Sequence, residues 1–238
     1  MRIFRKIRQQ QLTINQTSRY FLFATGEIAL IIIGVLIALY IDNRKEEKYN
    51  LGLEKEYLLS MKKELANDSE NLLRFTDNLN NVIGGFDIIL DNNNTHSKLP
   101  SDSIARLYRR MFYVPQFRSH TETFESIESS GHLSLIQNLT IKHNFFQLIN
   151  EYEAFEKFYI HQFLSIVVEI TKNSTKYFAF DKMNFIDNNY PYSQDAINNI
   201  MMSKLVRAST IDLANVCHQT VIELLENIES ELETRFSQ

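Results

Sequence analysis

From Tyr20 to Ile41 the chain runs for 22 residues with Glu27 as its only acidic or basic side chain. At about 1.5 Å per residue, a helix of that length just crosses a hydrocarbon layer of roughly 30 Å. The run predicts one transmembrane helix. It divides the chain into a basic segment (1–19), the span (20–41) and everything beyond it (42–238). A basic start followed by an apolar run is also the signature of a cleaved signal. This run is longer than a usual signal core of about 7 to 15 residues. It ends in Ala38-Leu39-Tyr40-Ile41-Asp42, without small residues placed for a cut, and so reads as an anchor.

The flanks set an orientation. Arg2, Arg5, Lys6, Arg8 and Arg19 precede the span with no Asp or Glu among them, whereas residues 42–48 mix Arg44, Lys45 and Lys48 with Asp42, Glu46 and Glu47. Basic residues stay on the cytoplasmic side, which puts the N-terminus in the cytoplasm and residues 42–238 outside it. In Met1 to Leu12, the apolar Ile3, Phe4 and Ile7 share one helical face and basic residues occupy the rest, as suits a helix lying in an anionic membrane surface.

The net charge is −4 over the whole chain and, with the five basic residues before the span and Glu27 set aside, −8 over residues 42–238. An acidic exterior argues against a nucleic-acid partner. Cys217 is the only cysteine, which excludes an intramolecular disulfide and the multi-cysteine metal patterns. It sits inside an apolar helical repeat and reads as a small core residue.

Beyond the span, Leu51, Leu58, Leu65, Leu72, Leu79 and Phe86 recur every seven residues, with Met61, Phe75, Val82 and Ile89 three positions after members of that series. Asp68 alone breaks the second series. Apolar residues alternating at three and four positions predict a helix that buries a narrow seam, here from about Arg44 to Leu90. Gly84-Gly85 is its weak point, and Asp91-Asn92-Asn93-Asn94 reads as its stop. Ser101 and Ser103 offer caps for a short helix from Asp102 to about Tyr113, closed by Pro115. Residues 121–138 predict one or two short helices around Gly131. A second long helix opens at Thr140, with Phe145, Tyr152, Tyr159 and Ile166 as one series, Leu148, Phe155, Gln162 and Glu169 as another, and Ile149, Phe163 and Ile170 in the flanking positions. Residues 178–192 are aromatic but irregular. Ser193 caps a last helix beginning at Asp195 or Ser209 and ending near Arg235, whose apolar side carries Leu213, Cys217, Thr220, Leu224, Ile228 and Glu231 beside Val216, Val221, Leu225 and Leu232. The fold class is therefore all-α: an N-terminal transmembrane helix followed by an extracytoplasmic bundle of long helices.

Two places invite chemistry. An ionised carboxylate near the middle of a span costs at least about 2.5 kcal/mol, so Glu27 is not expected to face lipid as a charge; a hydrogen-bonded seam, a protonated or locally hydrated residue with no role, and an ion pathway are the alternatives. Gly34 and Ala38 lie on the same side of the helix at the spacing of close helix contacts, which makes Glu27, Gly34 and Ala38 candidates for a self-association seam. The second place is Thr123 to Ile136. Glu122, Glu125 and Glu128 are three apart, His120 and His132 bracket them, and Glu125, Glu128, Ser129, Ser130, Gly131 and His132 are the candidate ligand-binding residues. Their spacing matches no recognised metal set, and the plain alternative is a solvated helix face ended by Ser-Ser-Gly. No metal or cofactor is expected. No Ser, His and Asp suggest a catalytic triad, since a Gly-x-Ser-x-Gly setting is missing. Arg106, Arg109 and Arg110 form a basic cluster able to receive a carboxylate or phosphate.

The residues Arg5-Lys6-Ile7-Arg8, Tyr20, Gly26-Glu27-Ile28, Ile33-Gly34-Val35-Leu36-Ile37-Ala38-Leu39 and Ile41-Asp42-Asn43 resemble the N-terminus of a family of uncharacterised bacterial single-pass membrane proteins. Glu125-Ser126-Ile127-Glu128-Ser129-Ser130-Gly131 followed by Leu133, Leu135 and Ile136 resembles that family's second shared segment. The resemblance covers about 50 residues of the chain. It implies a bacterial inner-membrane location and gives weight to Glu27 and Ser129-Ser130-Gly131, but implies no reaction. The expected function is a membrane-anchored interaction or sensory module that binds a protein or small ligand outside the cytoplasm. The expected partners are the lipid bilayer and a second copy of the chain or another envelope protein. A membrane-tethered enzyme and an accessory subunit of an envelope complex are the alternatives.

Overall fold

In a computed structural model, residues 16–95 and 99–236 are described. The basic tip and its expected surface helix lie outside them. Helix α1 (Gln16–Thr95) is followed by α2 (Ser101–Tyr108), a 3-10 turn (Arg109–Phe112), α3 (Glu122–Ser129), a 3-10 turn (His132–Ser134) and α4 (Leu139–Phe158). A π turn (Tyr159–Phe163) then leads into α5 (Leu164–Ser174). Strands β1 (Phe178–Ala179) and β2 (Asn184–Phe185) form one short antiparallel pair before α6 (Gln194–Phe236). The all-α expectation holds, and that hairpin is the one departure from it among the described residues.

The chain divides into two compact units at Leu53 and Glu54. In the first, α1 carries an 18-residue window of mean hydropathy 2.3 of which nothing is buried, long and apolar enough to cross a membrane. Glu27, Gly34 and Ala38 lie exposed on this stretch, and open space surrounds the Cα of Gly34. Leu51, expected to begin the seam, is exposed in this unit as well.

In the second unit the seam of α1 is continuous. Leu58, Met61, Leu65, Asp68, Leu72, Phe75, Leu79, Val82, Phe86 and Ile89 are all buried, in unbroken steps of three and four. Each large apolar side chain buried there contributes about 2 kcal/mol. Gly84-Gly85 does not end the helix, which runs through both residues. A Cβ on Gly85 would meet Leu107 Cδ2 at 3.3 Å, so that glycine is where α2 comes close. The expected stop at Asp91–Asn94 is corrected, because the helix runs on to Thr95. Asn92 spends its side chain on the next loop instead, accepting a hydrogen bond from the Leu99 N–H at 2.8 Å. Nor do Ser101 and Ser103 cap α2. Pro100 holds that position, the Ser101 hydroxyl reaches Asn188, and the Ser103 hydroxyl accepts from Arg106.

Asn138 caps α4 by accepting from the Thr140 and Ile141 N–H groups. The heptad series expected along this helix slips by one residue. Leu148, Phe155, Phe163 and Ile170 are buried, whereas Gln162 and Glu169 are exposed. The π turn takes up one extra residue and so moves the buried stripe along by one. Helix α6 opens at Gln194, where Ser193 accepts from the Ala196 N–H as its cap. Cys217 and Leu224 are in the core, but Val216, expected beside the seam, is exposed. The larger core joins α1, α3, α4 and α6. A smaller one gathers the end of α1, α2 and the hairpin around Tyr108, whose hydroxyl meets those of Ser174 and Tyr190. That cluster accounts for the aromatic, aperiodic segment 178–192.

Candidate functional site

Between Phe112 and Glu122 the chain has no regular structure, and every neighbouring long helix reaches into it with a polar side chain. Pro115 ends the helical run before it. On α1, Asp68 is fully buried and accepts three kinds of donor: the His120 N–H at 3.0 Å, His120 Nδ1 at 2.5 Å and the Tyr152 hydroxyl of α4 at 2.7 Å. One turn away, Glu64 accepts from the Thr123 N–H at 3.1 Å and its hydroxyl at 2.5 Å, fastening the start of α3. On α6, Arg207 is fully buried and donates to the carbonyls of Met111 (2.7 Å) and Tyr113 (3.0 Å). Its guanidinium also lies over the rings of Phe86 and Phe163. The Tyr159 hydroxyl donates to the Pro115 carbonyl. An irregular backbone cannot satisfy its own donors and acceptors, so side chains from α1, the π turn and α6 do so, and residues 112–122 become a fixed strap.

The electrostatics follow from these contacts. The hydrogen bond to Asp68 is the largest influence on His120 and raises its pKa above 6.5. Burial pushes the Tyr152 hydroxyl well above the usual tyrosine range and the Tyr159 hydroxyl up to about 12. Burial brings Arg207 down to about 10, which leaves it charged at neutral pH. Among the described residues, no carboxylate pairs with it. Asp68 holds one ring nitrogen of His120 as a carboxylate does in a general-base dyad. Among the described residues, however, no Ser, Thr or Cys side chain is hydrogen-bonded to that histidine. Burial also lifts the Cys217 thiol to about 12, so it serves as a core residue rather than a nucleophile.

The strap borders two kinds of opening. Against α3 and α4 lies a cavity of about 810 Å³ whose walls include Glu122, Glu125, Glu128, Glu153 and Glu156 beside Phe146. Against α1 lie two smaller ones, of about 620 and 440 Å³, which share Asn78 and Tyr113; the larger is also walled by the 3-10 turn after α2 and by the hairpin. The residues expected to form one ligand site are therefore divided. Glu125 and Glu128 line the acidic cavity, where Glu125 also accepts from the Thr121 hydroxyl. The Ser129 and Ser130 hydroxyls turn back to the Ser126 carbonyl. Gly131 has φ 73°, a left-handed corner that favours glycine. His132 shares a hydrogen bond with Tyr57 at 2.8 Å, remote from the Asp68 partner of His120. Just past the corner, Glu54, 1% exposed, accepts from the Gln137 N–H at 2.8 Å and pairs with Arg235 at 2.9 Å. No group of three or more His, Cys, Asp or Glu among the described residues is placed to hold a metal ion. Of the basic cluster, Arg109 and Arg110 share a cavity, and Arg106 does not join them. Asp68 and Arg207 are the site residues that spacing alone missed, although a lone acid in an otherwise apolar seam was the signal for the first. Comparison of the chain with family models, curated proteins and solved structures finds no match.

Proposed function

We propose that this protein is a membrane-anchored helical interaction or sensory module of a bacterial envelope. In this reading residues 20–41 span the inner membrane, the N-terminus is cytoplasmic, and residues 42–238 stand outside the cytoplasm and bind a protein or small ligand. One observation carries it: the same chain holds an apolar helical stretch with nothing buried against it and a helical unit whose fixed strap borders open cavities. The resemblance of the Gly26-Glu27-Ile28 and Ser129-Ser130-Gly131 segments to a family of bacterial membrane proteins supports the location. Glu27, Gly34 and Ala38 are proposed to pair two copies within the bilayer, their exposure leaving that face free for a partner. A tethered enzyme is less well supported, because the acidic and histidine groups it would use are divided between Asp68, Tyr57 and the acidic cavity.

The test has two parts. Alkaline washing should leave the chain in the membrane, and a reporter that works only outside the cytoplasm should be active after Gln238 and silent at Met1. The reverse pattern sinks the orientation. A photoreactive residue at Arg118, on the strap, should then form a discrete adduct by mass spectrometry, while one at Glu226 should not. Equal labelling, or none at 118, sinks the binding role.

A further inference from the structure

We propose that the paired cavities between α1, the 3-10 turn Arg109–Phe112 and the strap form a binding site for a small anion, a carboxylate or phosphate monoester on an apolar or aromatic body. The inference rests on the binding role proposed above and names the class of ligand. Residues 42–238 carry a net charge of −8, yet none of the described residues lining these two cavities is Asp or Glu. Arg109 and Arg110 line the larger one with Asn78 and Asn81; Arg74, Arg118 and His120 line the smaller.

Among the described residues, no ion pair includes Arg109, Arg110 or Arg118. Arg110 donates to the Asn81 carbonyl at 3.3 Å, which holds it over α1 without neutralising it. Two acidic side chains do bear on the smaller cavity from its margin. Glu70 approaches Arg74 at 3.7 Å, and Asp68 holds His120. The larger cavity has no such partner and is the better place for the acidic group. Arginine and asparagine side chains together donate to carboxylate and phosphate oxygens with charge assistance on the arginine side.

The apolar half of the ligand is read from the other wall. Phe112, Phe180 and Met183 line the larger cavity, and Met183 is 48% exposed. It is the only non-glycine with positive φ among the described residues, at 50°, in the turn between β1 and β2. A side chain is strained in that conformation, and such strain gathers at binding sites. Here it sets an exposed apolar side chain at the rim of a cationic cavity.

The probes are phenyl phosphate, phenylacetate and benzylamine, titrated by calorimetry into the full chain in phosphatidylcholine nanodiscs. At least one of the two anions should bind saturably at one site per chain, more weakly as salt rises, and benzylamine should not. Arg109→Gln with Arg110→Gln should weaken binding about tenfold or more, by the loss of charge-assisted bonds. Both side chains are exposed, so folding should survive. Asn78→Asp, which adds a carboxylate to the shared wall, should weaken binding in the same direction. Glu125→Gln, in the acidic cavity, should change nothing. Nanodiscs containing phosphatidylglycerol distinguish the ligand's source: displacement of the probe indicates a lipid headgroup, and undiminished binding a soluble anion, either of which supports the site. Binding unaffected by the arginine changes, equal binding of benzylamine, or no saturable binding of either anion would overturn it. A labelled Arg118 adduct without anion binding would leave the binding role standing and remove only the ligand class.

Discussion

Arg207 and Asp68 are both wholly buried, carry opposite charges and hold the same strap, yet they are satisfied in different ways. Asp68 meets its donors with a titratable partner, His120, and a hydroxyl, Tyr152. Among the described residues, Arg207 has no acidic partner. It gives its hydrogens to the carbonyls of Met111, Tyr113 and Ser203 and the Ser203 hydroxyl, rests on two aromatic rings, and leaves its Nε without an acceptor. A buried charge is thus tolerated either by a counter-charge or by a cage of dipoles and π faces, and only the first makes the clamp sensitive to pH.

Removing the cage should cost most. Arg207→Leu strands the Met111 and Tyr113 carbonyls and should lower the unfolding free energy by about 4 kcal/mol in urea titrations of the full chain in detergent. A loss below about 1 kcal/mol would mean that water replaces the guanidinium, and the contrast between the clamps would fall. Asp68→Ala should cost about 3 kcal/mol, since the His120 N–H and the Tyr152 hydroxyl lose their acceptor together. Tyr152→Phe removes one bond to that carboxylate and should cost about 2 kcal/mol. Gly131→Ala, which involves no charge, provides the lower reference. An added Cβ meets nothing within 4 Å, so the cost is the left-handed backbone alone, about 1 kcal/mol.

The pH dependence sharpens the comparison further. His120 has its pKa raised in the folded state, so its contribution is complete below the unfolded value of 6.5 and is lost as pH rises through the folded value. Stability should therefore fall with pH just above 6.5, and Asp68→Asn or His120→Gln should flatten that slope. His218 acts in the other direction and in another window, because burial lowers its pKa. Its effect is a gain of stability as pH rises from the lowered value to 6.5. Across that whole range Arg207, at about 10, stays charged and should add no slope. A slope that survives His120→Gln would place the sensitive group elsewhere.

Much of the fold was legible in the sequence. The apolar run, the three-and-four seam of α1, the corner at Gly131 and the Ser193 cap all depend on residues near one another in the chain, where periodicity and backbone preference act directly. The slip in the α4 stripe was half-legible. Phe163 and Ile170 stood out as apolar, but a seven-residue count led to Gln162 and Glu169, because a π turn is a response to packing and not a local preference. The candidate site was less legible still. Spacing grouped Glu125, Glu128 and His132 as neighbours in sequence, whereas the strap gathers Asp68, His120, Tyr152 and Arg207 from four separate segments.

An all-α chain with one long apolar helix, an acidic remainder and a single core cysteine could be read from residue order, since each follows from composition or from a short repeat. Which charges are buried, and what satisfies them, emerged with the packing of distant segments. A lone Asp in a seam and an Arg among apolar residues are unfavourable on any isolated helix, and become tolerable only where an irregular segment with unmet donors and acceptors crosses them. The cationic cavities were decided at the same level, because Arg74, Arg109, Arg110 and Arg118 come together only when α1, the 3-10 turn after α2 and the strap have packed.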